Sequence, residues 1–461
     1  MIINVKNLGI IGSAEVDNAK PLIVMCGPNS TGKTYFSYLL YSVFSDIPLI
    51  NPNSLLVNDA LNTSSFTLTA DDFNVYLKLE TTYIKQRMYN IFGLAPDVGK
   101  TMFRSFDLNM YCGEDTYNKF FLSQKLERTF FVGVAPWLTV TKAENSACLY
   151  LSYLNDEDSV ESQKRLKLSK VIYTLLREYA HAPSAGARML TVERNSIYTF
   201  KTELSLSRAE LIDKVLESSL PGDKVKEMVN NESSRYPLAV RDSLRIANDL
   251  ENTQKKVGEY KAYAERLERE LLHGSIDVNK TTGAVEFIPF STAKNPRRLP
   301  IHIASSIVKT LSSLILYLKH LAKVNDLVII DEPEMNMHPE NQCVLARIFA
   351  GLVNNGLRMI ISTHSDYIIR EFNNLIMANE LFNQHDKVSK KICNIYSREE
   401  CLDKDKLEVL YFKHGKRNKV EVIQLPVYRD GFSVESIDNT ITSQNEVSQN
   451  LYDLLHEYSD E

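Results

Sequence analysis

PLIVMCGPNSTGKT, residues Pro21 to Thr34, is the stretch on which the fold of this chain turns. Its first six residues, Pro21 to Cys26, form an apolar run of the kind that a strand buried on both faces of a sheet requires. Gly27, Pro28, Asn29, Ser30, Thr31, Gly32, Lys33 and Thr34 follow at once and match GxxxxGK[ST] in full. The glycines let the backbone turn so that successive N–H groups point inward, and a helix starting near Lys33 adds its positive N-terminal end. Downstream, Tyr35, Phe36, Leu39, Leu40, Val43 and Phe44 recur at helical spacing and give that helix one buried face. A chance glycine turn would lack both flanks, so strand, loop and helix together specify a phosphate cradle. Lys33 is expected to reach the β and γ phosphates of a nucleotide, and the Thr34 hydroxyl to ligate Mg2+.

Far downstream, Asp326 to Ile330 (DLVII) is a second apolar strand, and it ends in Asp331, Glu332 and Pro333. Two adjacent carboxylates at a strand end are the expected complement to the loop: Asp331 to hold the Mg2+ shell, Glu332 to orient or deprotonate the attacking water. A third run, Arg358 to Ile361 (RMII), leads into Ser362, Thr363, His364 and Ser365, so an imidazole stands just past a strand end. A single histidine is often only a structural donor, but the spacing after DEPE favours a contact from His364 to the γ phosphate. Between these strands, Met335 to Gln342 (MNMHPENQ) reads as a loop containing Asn336 and His338, followed by a helix to about Asn355. The order strand, helix, strand implies a parallel sheet.

The set GPNSTGKT, LVIIDEPEMNMHPENQ and ISTHSDYI resembles the ATPase heads of the ABC superfamily, in particular the soluble branch with SMC-like proteins and the overcoming-lysogenization-defect nucleases. The resemblance implies an α/β fold, a P-loop ABC-type head with a mixed sheet, and ATP with Mg2+ as cofactors. It makes Lys33 and Thr34 the Walker A residues, Asp331 and Glu332 the Walker B pair, Asn336 to His338 the D-loop region, and His364 the switch histidine. It also implies a signature segment at a helix start, presented to the γ phosphate by a partner subunit. The LSGGQ form is absent; Ala304, Ser305 and Ser306 follow the strand-like LPIHI and open an apolar helix from Ile307 to Leu321. Their hydroxyls and the free N–H groups of the helix end suit an anion, with simple capping by Ser305 as the alternative. No Q-loop glutamine is assigned.

The two halves of this site lie roughly 300 residues apart, so a long, mostly helical insertion is expected to interrupt the head. Residues 66 to 93 read as a strand and helix, 130 to 153 as strands around Trp137, and 161 to 180 as an amphipathic helix. Arg188 to Arg194 (RMLTVER) reads as a strand ending in charge; Glu193 and Arg194 resemble an ER pair of related stand-alone ATPases, an ordinary ion pair being the alternative. Leu204 to Asn230 and Leu238 to Leu271 turn helical, and Leu250, Val257, Ala264 and Leu271 recur every seven residues. That seam fits either a short coiled-coil-like hairpin or a helical lobe packed on the head. The interleaved lysines, arginines and glutamates there read as a solvated face rather than a DNA grip. After residue 400, LEVLYFKH and KVEVIQLP suggest a hairpin and Asn450 to Tyr458 a last helix, without the glutamate and DxD strands of a Toprim nuclease. The expected units are a head lobe over 1–160, the insertion over 161–282, a second head lobe over 283–400, and a hairpin with helix over 401–461.

Composition narrows the setting. The chain has 461 residues, 44% hydrophobic and 24% charged, which is the mixture of a folded protein. A net charge of -5 supplies no global basic field, so nucleic acid would have to meet a local patch. Six scattered cysteines without CxxC spacing suggest neither zinc nor disulfides and fit a reducing cytoplasm. Neither a signal peptide nor a membrane-spanning run is read. The leading expectation is an oligomerising ATPase that pairs with itself and controls a separately encoded effector, such as a nuclease. On its head motifs, helical insertion and lack of Toprim it resembles stand-alone subunits of anti-phage systems of the Septu, Menshen or PARIS type. The competing expectation is a DNA-repair or chromosome-associated ATPase of the SMC-like or RecF-like kind.

Overall fold

The computed structural model describes residues 1–45, 54–154, 161–200, 236–291, 297–384, 391–415 and 419–457. The helical run read over Leu204 to Asn230 lies outside them, as does Tyr458. In chain order the strands are β1 (Ile2–Leu8), β2 (Ile11–Asp17), β3 (Leu22–Cys26), β4 (Ser65–Thr67), β5 (Asp107–Tyr111), β6 (Leu126–Val132), β7 (Ala135–Lys142) and β8 (Cys148–Tyr153). They continue as β9 (Ala187–Leu190), β10 (Gly274–Val278), β11 (Val285–Pro289), β12 (Leu299–Pro300), β13 (Leu327–Asp331), β14 (Arg358–Thr363), β15 (Leu407–His414) and β16 (Val420–Leu425).

A nine-stranded mixed sheet in the order β5-β1-β2-β16-β15-β3-β14-β13-β9 organises the molecule. Five of its strands, β15, β3, β14, β13 and β9, are parallel neighbours. Their residues alternate between two cores: Ile23, Met25, Leu327, Ile329 and Ile360 face one, while Leu22, Val24, Val328, Ile330, Met359 and Ile361 face the other. Burial on both faces is why these strands read as unbroken apolar runs rather than as alternating ones. The helix Lys33–Phe44 packs its Phe36, Leu39, Leu40 and Val43 into the first core. The helices Ser306–His320 and Pro339–Asn354 fill the second with Leu311, Leu314, Ile315, Leu345, Ile348 and Phe349. This is the mixed α/β head that the motifs implied.

The stretch that interrupts the head holds both the expected helices and the strands read around Trp137. The helices Ala70–Gln86 and Glu161–Ala180 form as expected, and so do the strands: β4, β8, β7 and β6 make a four-stranded antiparallel sheet in which Trp137 of β7 is buried. Strands β10 to β12 add a further three-stranded sheet. The seam read over Leu238 to Leu271 is not one helix. It is divided into Leu238–Asn248, Leu250–Thr253 and Lys261–Leu267, with a wider turn over Glu268–Leu272. Between the pieces, Gly258 and Glu259 donate their N–H groups to the carbonyls of Lys319 and Ala322, at the end of the helix Ser306–His320. A Cβ at position 258 would come within 2.5 Å of the Leu318 carbonyl, so a glycine is needed for that approach. Leu250, Ala264 and Leu271 are consequently buried against the head, whereas Val257 is 81% exposed. The packed-lobe alternative describes this stretch; the coiled-coil seam does not.

Two smaller expectations also change. Only Leu299 and Pro300 of LPIHI pair as a strand, because Ile301–Ile303 winds into a 3-10 turn. The last helix starts well before Asn450, spanning Glu435–Glu457 with no buried residue; Ile437 packs against the second core, while Val447, Leu451, Leu454 and Leu455 stand exposed. Strands β15 and β16 form the expected hairpin, and β15 joins the head by pairing in parallel with β3. Among the described residues no helix is long and apolar enough to cross a membrane.

Candidate functional site

At the C-terminal ends of the central strands, register decides what meets. Cys26 of β3 pairs with Thr363 of β14, and Asp331 of β13 with Ser362, so the residues that follow each strand emerge side by side. Such an edge is where open parallel sheets bind ligands. Gly27 leaves β3 with φ 135°, and a Cβ there would lie 2.3 Å from the Phe412 carbonyl. Gly32, with φ 89°, turns the chain into the helix Lys33–Phe44, whose first turn carries no acidic residue to compete for its N–H groups. In this structure the Lys33 ammonium donates to the carbonyls of Gly27 (2.9 Å) and Pro28 (2.7 Å). Burial lowers its pKa to about 8, against the opposing pull of Asp331.

The Thr34 hydroxyl donates to Asp331 Oδ2 at 2.7 Å, although 297 positions separate the two residues. The other Asp331 oxygen accepts from the Ser362 hydroxyl. Two hard oxygens held side by side beside a phosphate loop fit a small divalent cation, and Thr34 and Asp331 are the residues that would hold one. Glu332 follows with φ 48°, a left-handed backbone that costs a non-glycine residue on the order of 1–3 kcal/mol and is commonest at working sites. Its carboxylate lies 3.7 Å from His364 Nε2. Burial, and then the Lys33 charge, lower the pKa of His364 and favour its neutral ring. Glu334 ties the two strand ends together, its carboxylate accepting from the Thr363 hydroxyl (2.8 Å) and the His364 N–H (2.7 Å).

Asn29, Ser30, Thr31, Gly32, Lys33, Thr34, Asp331, Glu332 and His364 line one cavity of about 560 Å3. Pro28 contributes to the loop through its carbonyl, which also accepts from the Thr31 hydroxyl at 2.8 Å. The rest of the lining is apolar and has no counterpart among the motifs: Leu8, Gly9 and Ile10 from the β1–β2 turn, with Tyr35 and Met102. A flat base suits such a wall, while the loop takes phosphates. The sequence signal for it was no more than Gly9 between two strand-like runs. Ser305 and Ser306 do not line this cavity; both are exposed at the start of the helix Ser306–His320. Ser305 occupies the N-cap position, but its hydroxyl accepts no N–H, so the side-chain cap considered above is not formed. Asn336, with φ 62°, bonds to Thr310 of that same helix at 3.2 Å.

Arg194 meets the main chain of this site. Its guanidinium donates to the backbone carbonyls of Asp331 (2.6 Å), Glu332 (2.5 Å) and Thr191 (2.9 Å). Burial lowers its pKa to about 10 even with Asp331, Glu334 and Glu332 close by.

Residues 1–369 match the protein family described as AAA ATPase domain. No curated protein matches the chain. Among solved structures, the Smc head domain with an extended coiled coil, bound to the C-terminal domain of ScpA and derived from Pyrococcus furiosus, aligns at 11% identity. That alignment covers 97% of this chain and 98% of the other, with a TM-score of 0.34. The SMC head domain from Thermotoga maritima aligns at 10% identity over 92% of this chain and 98% of the other, with a TM-score of 0.32.

Proposed function

This chain belongs to the AAA ATPase domain family, and from that premise we propose that it hydrolyses ATP with Mg2+ at the cavity between the phosphate loop and the ends of β13 and β14. The observation that carries the reading is the 2.7 Å bond between Thr34 and Asp331, beside Lys33 and within a cavity that Glu332 and His364 also line. Loop residues Gly27 to Thr34 would bind the phosphates, with Lys33 leaving its carbonyl partners for the β and γ oxygens. Mg2+, when held by Thr34 and Asp331, would neutralise charge on those oxygens. Glu332 would take a proton from water as the water oxygen bonds to the γ phosphorus and the bond to the bridging oxygen breaks. His364, neutral and 3.7 Å from Glu332, would fix that carboxylate and meet the γ phosphate.

The further reading is that two copies close each site together, with Ser305 and Ser306 of one presented to the nucleotide of the other, and that this pairing controls a separately encoded effector in anti-phage defence. Support for the pairing is the free helix start at Ser306 with its uncommitted Ser305 hydroxyl. Support for the effector role is the resemblance of the motif set to stand-alone ATPases of such systems. Lys33→Ala tests the core of the proposal. It should abolish measurable ATP binding in a calorimetric titration, and unchanged affinity would remove the phosphate-loop assignment.

A further inference from the structure

The roles above leave unused the buried cation on the turn that follows β9. Arg194 is 2% exposed and does not line the nucleotide cavity. Its two terminal nitrogens span consecutive carbonyls, those of Asp331 and Glu332. From the other side, the Glu332 N–H donates to the Ser362 carbonyl at 3.0 Å. The backbone of residue 332 is thus gripped at both its ends while its φ is held at 48°. The gripping turn is itself anchored: Ile197 is buried, and Tyr198 packs against the second core, to which the helix Ser306–His320 contributes. A planar fork can hold two carbonyls at once, which a lysine ammonium does as a single point.

We infer that Arg194 is a positioning residue for hydrolysis: it holds Glu332 in the left-handed backbone conformation that turns its carboxylate toward the cavity, without touching nucleotide. The inference rests on Glu332 being the carboxylate that activates water. It differs from a purely structural role in one respect, since an arginine acting through Glu332 has nothing left to act on once Glu332 is disabled.

The test uses the full chain with Arg194→Met and Arg194→Lys, each alone and combined with Glu332→Gln, measuring ATP affinity, kcat and thermal melting. Arg194→Met should bind ATP within about threefold of the parent and lose roughly 100-fold in kcat, the size of a lost positioning contact. Arg194→Lys should keep part of the rate, losing roughly tenfold. In the Glu332→Gln background neither substitution should lower the residual turnover further. Parental kcat in Arg194→Met overturns the inference, and so does a loss that is equal in both backgrounds. Should the methionine variant fail to fold, the lysine variant and its combination with Glu332→Gln decide by the same comparison. Parental turnover in Glu332→Gln alone would remove the reading of Glu332 and the inference with it; additive losses beside a normal Glu332→Gln defect would remove the role of Arg194 only.

Discussion

The two halves of the site differ in where their support comes from. The phosphate loop closes on itself: Lys33 bonds to the carbonyls of Gly27 and Pro28, and the Thr31 hydroxyl to Pro28. The carboxylate half is held from outside, with Asp331 between Thr34 and Ser362, Glu332 between Arg194 and Ser362, and Glu334 against Thr363 and His364. A self-contained loop can be specified by eight contiguous residues. A carboxylate pair can be named by its short motif, but what aims it comes from β9 and β14, distant in sequence.

The contrast can be broken most forcefully at Gly27. An alanine there must adopt a φ of 135° and accommodate a Cβ 2.3 Å from the Phe412 carbonyl, so the loop can no longer close. ATP affinity should fall roughly 100-fold or more, from backbone strain on the order of 1–3 kcal/mol plus that overlap. Calorimetry checks this, while Trp137 fluorescence, reporting on the separate four-stranded sheet, should show the rest of the fold intact.

Next in size is pH. Burial sets the Lys33 pKa at about 8, and phosphates need its charged form, so binding takes up a proton wherever the free lysine has lost one. Affinity should be flat below pH 8 and fall by about tenfold per unit above it, until the pKa of the bound state is reached. Titrations from pH 6.5 to 9.5 would show the bend; a flat profile to pH 9.5 would mean that Lys33 carries its charge independently of its burial.

The smallest effect is expected at Glu334. Its Oε2 is buried without a partner among the described residues, and burial raises its pKa. Its working contacts are both acceptances by Oε1, which a glutamine carbonyl reproduces. Glu334→Gln should therefore change turnover by no more than about threefold. A larger loss would transfer to Glu334 part of the role given to its neighbour Glu332.

What the sequence made legible follows the same division. Leu22 to Cys26 and Leu327 to Asp331 were readable as strands because burial on both faces leaves no polar alternation, and Lys33, Thr34, Asp331 and Glu332 because their motifs are local. The helix Glu161–Ala180 was readable because its apolar face meets one core. The seven-residue recurrence through Val257 misled, since spacing cannot show that Gly258 breaks the helix to cap another. The Leu8 to Ile10 wall of the cavity had no motif, and Arg194 carried a string without its geometry: a guanidinium buried on carbonyls looks, in sequence, like any charge after a strand.

Glu332 is where binding and chemistry part. Glu332→Gln keeps the shape and the Arg194 grip on the backbone but removes the basic oxygen, so a single preparation assayed for both ATP affinity and turnover separates binding from chemistry. Affinity should stay within about threefold of the parent and turnover should fall by roughly 10²–10⁴-fold, the range of a lost general base. Hydrolysis at the parental rate with ATP still bound would contradict that role for Glu332.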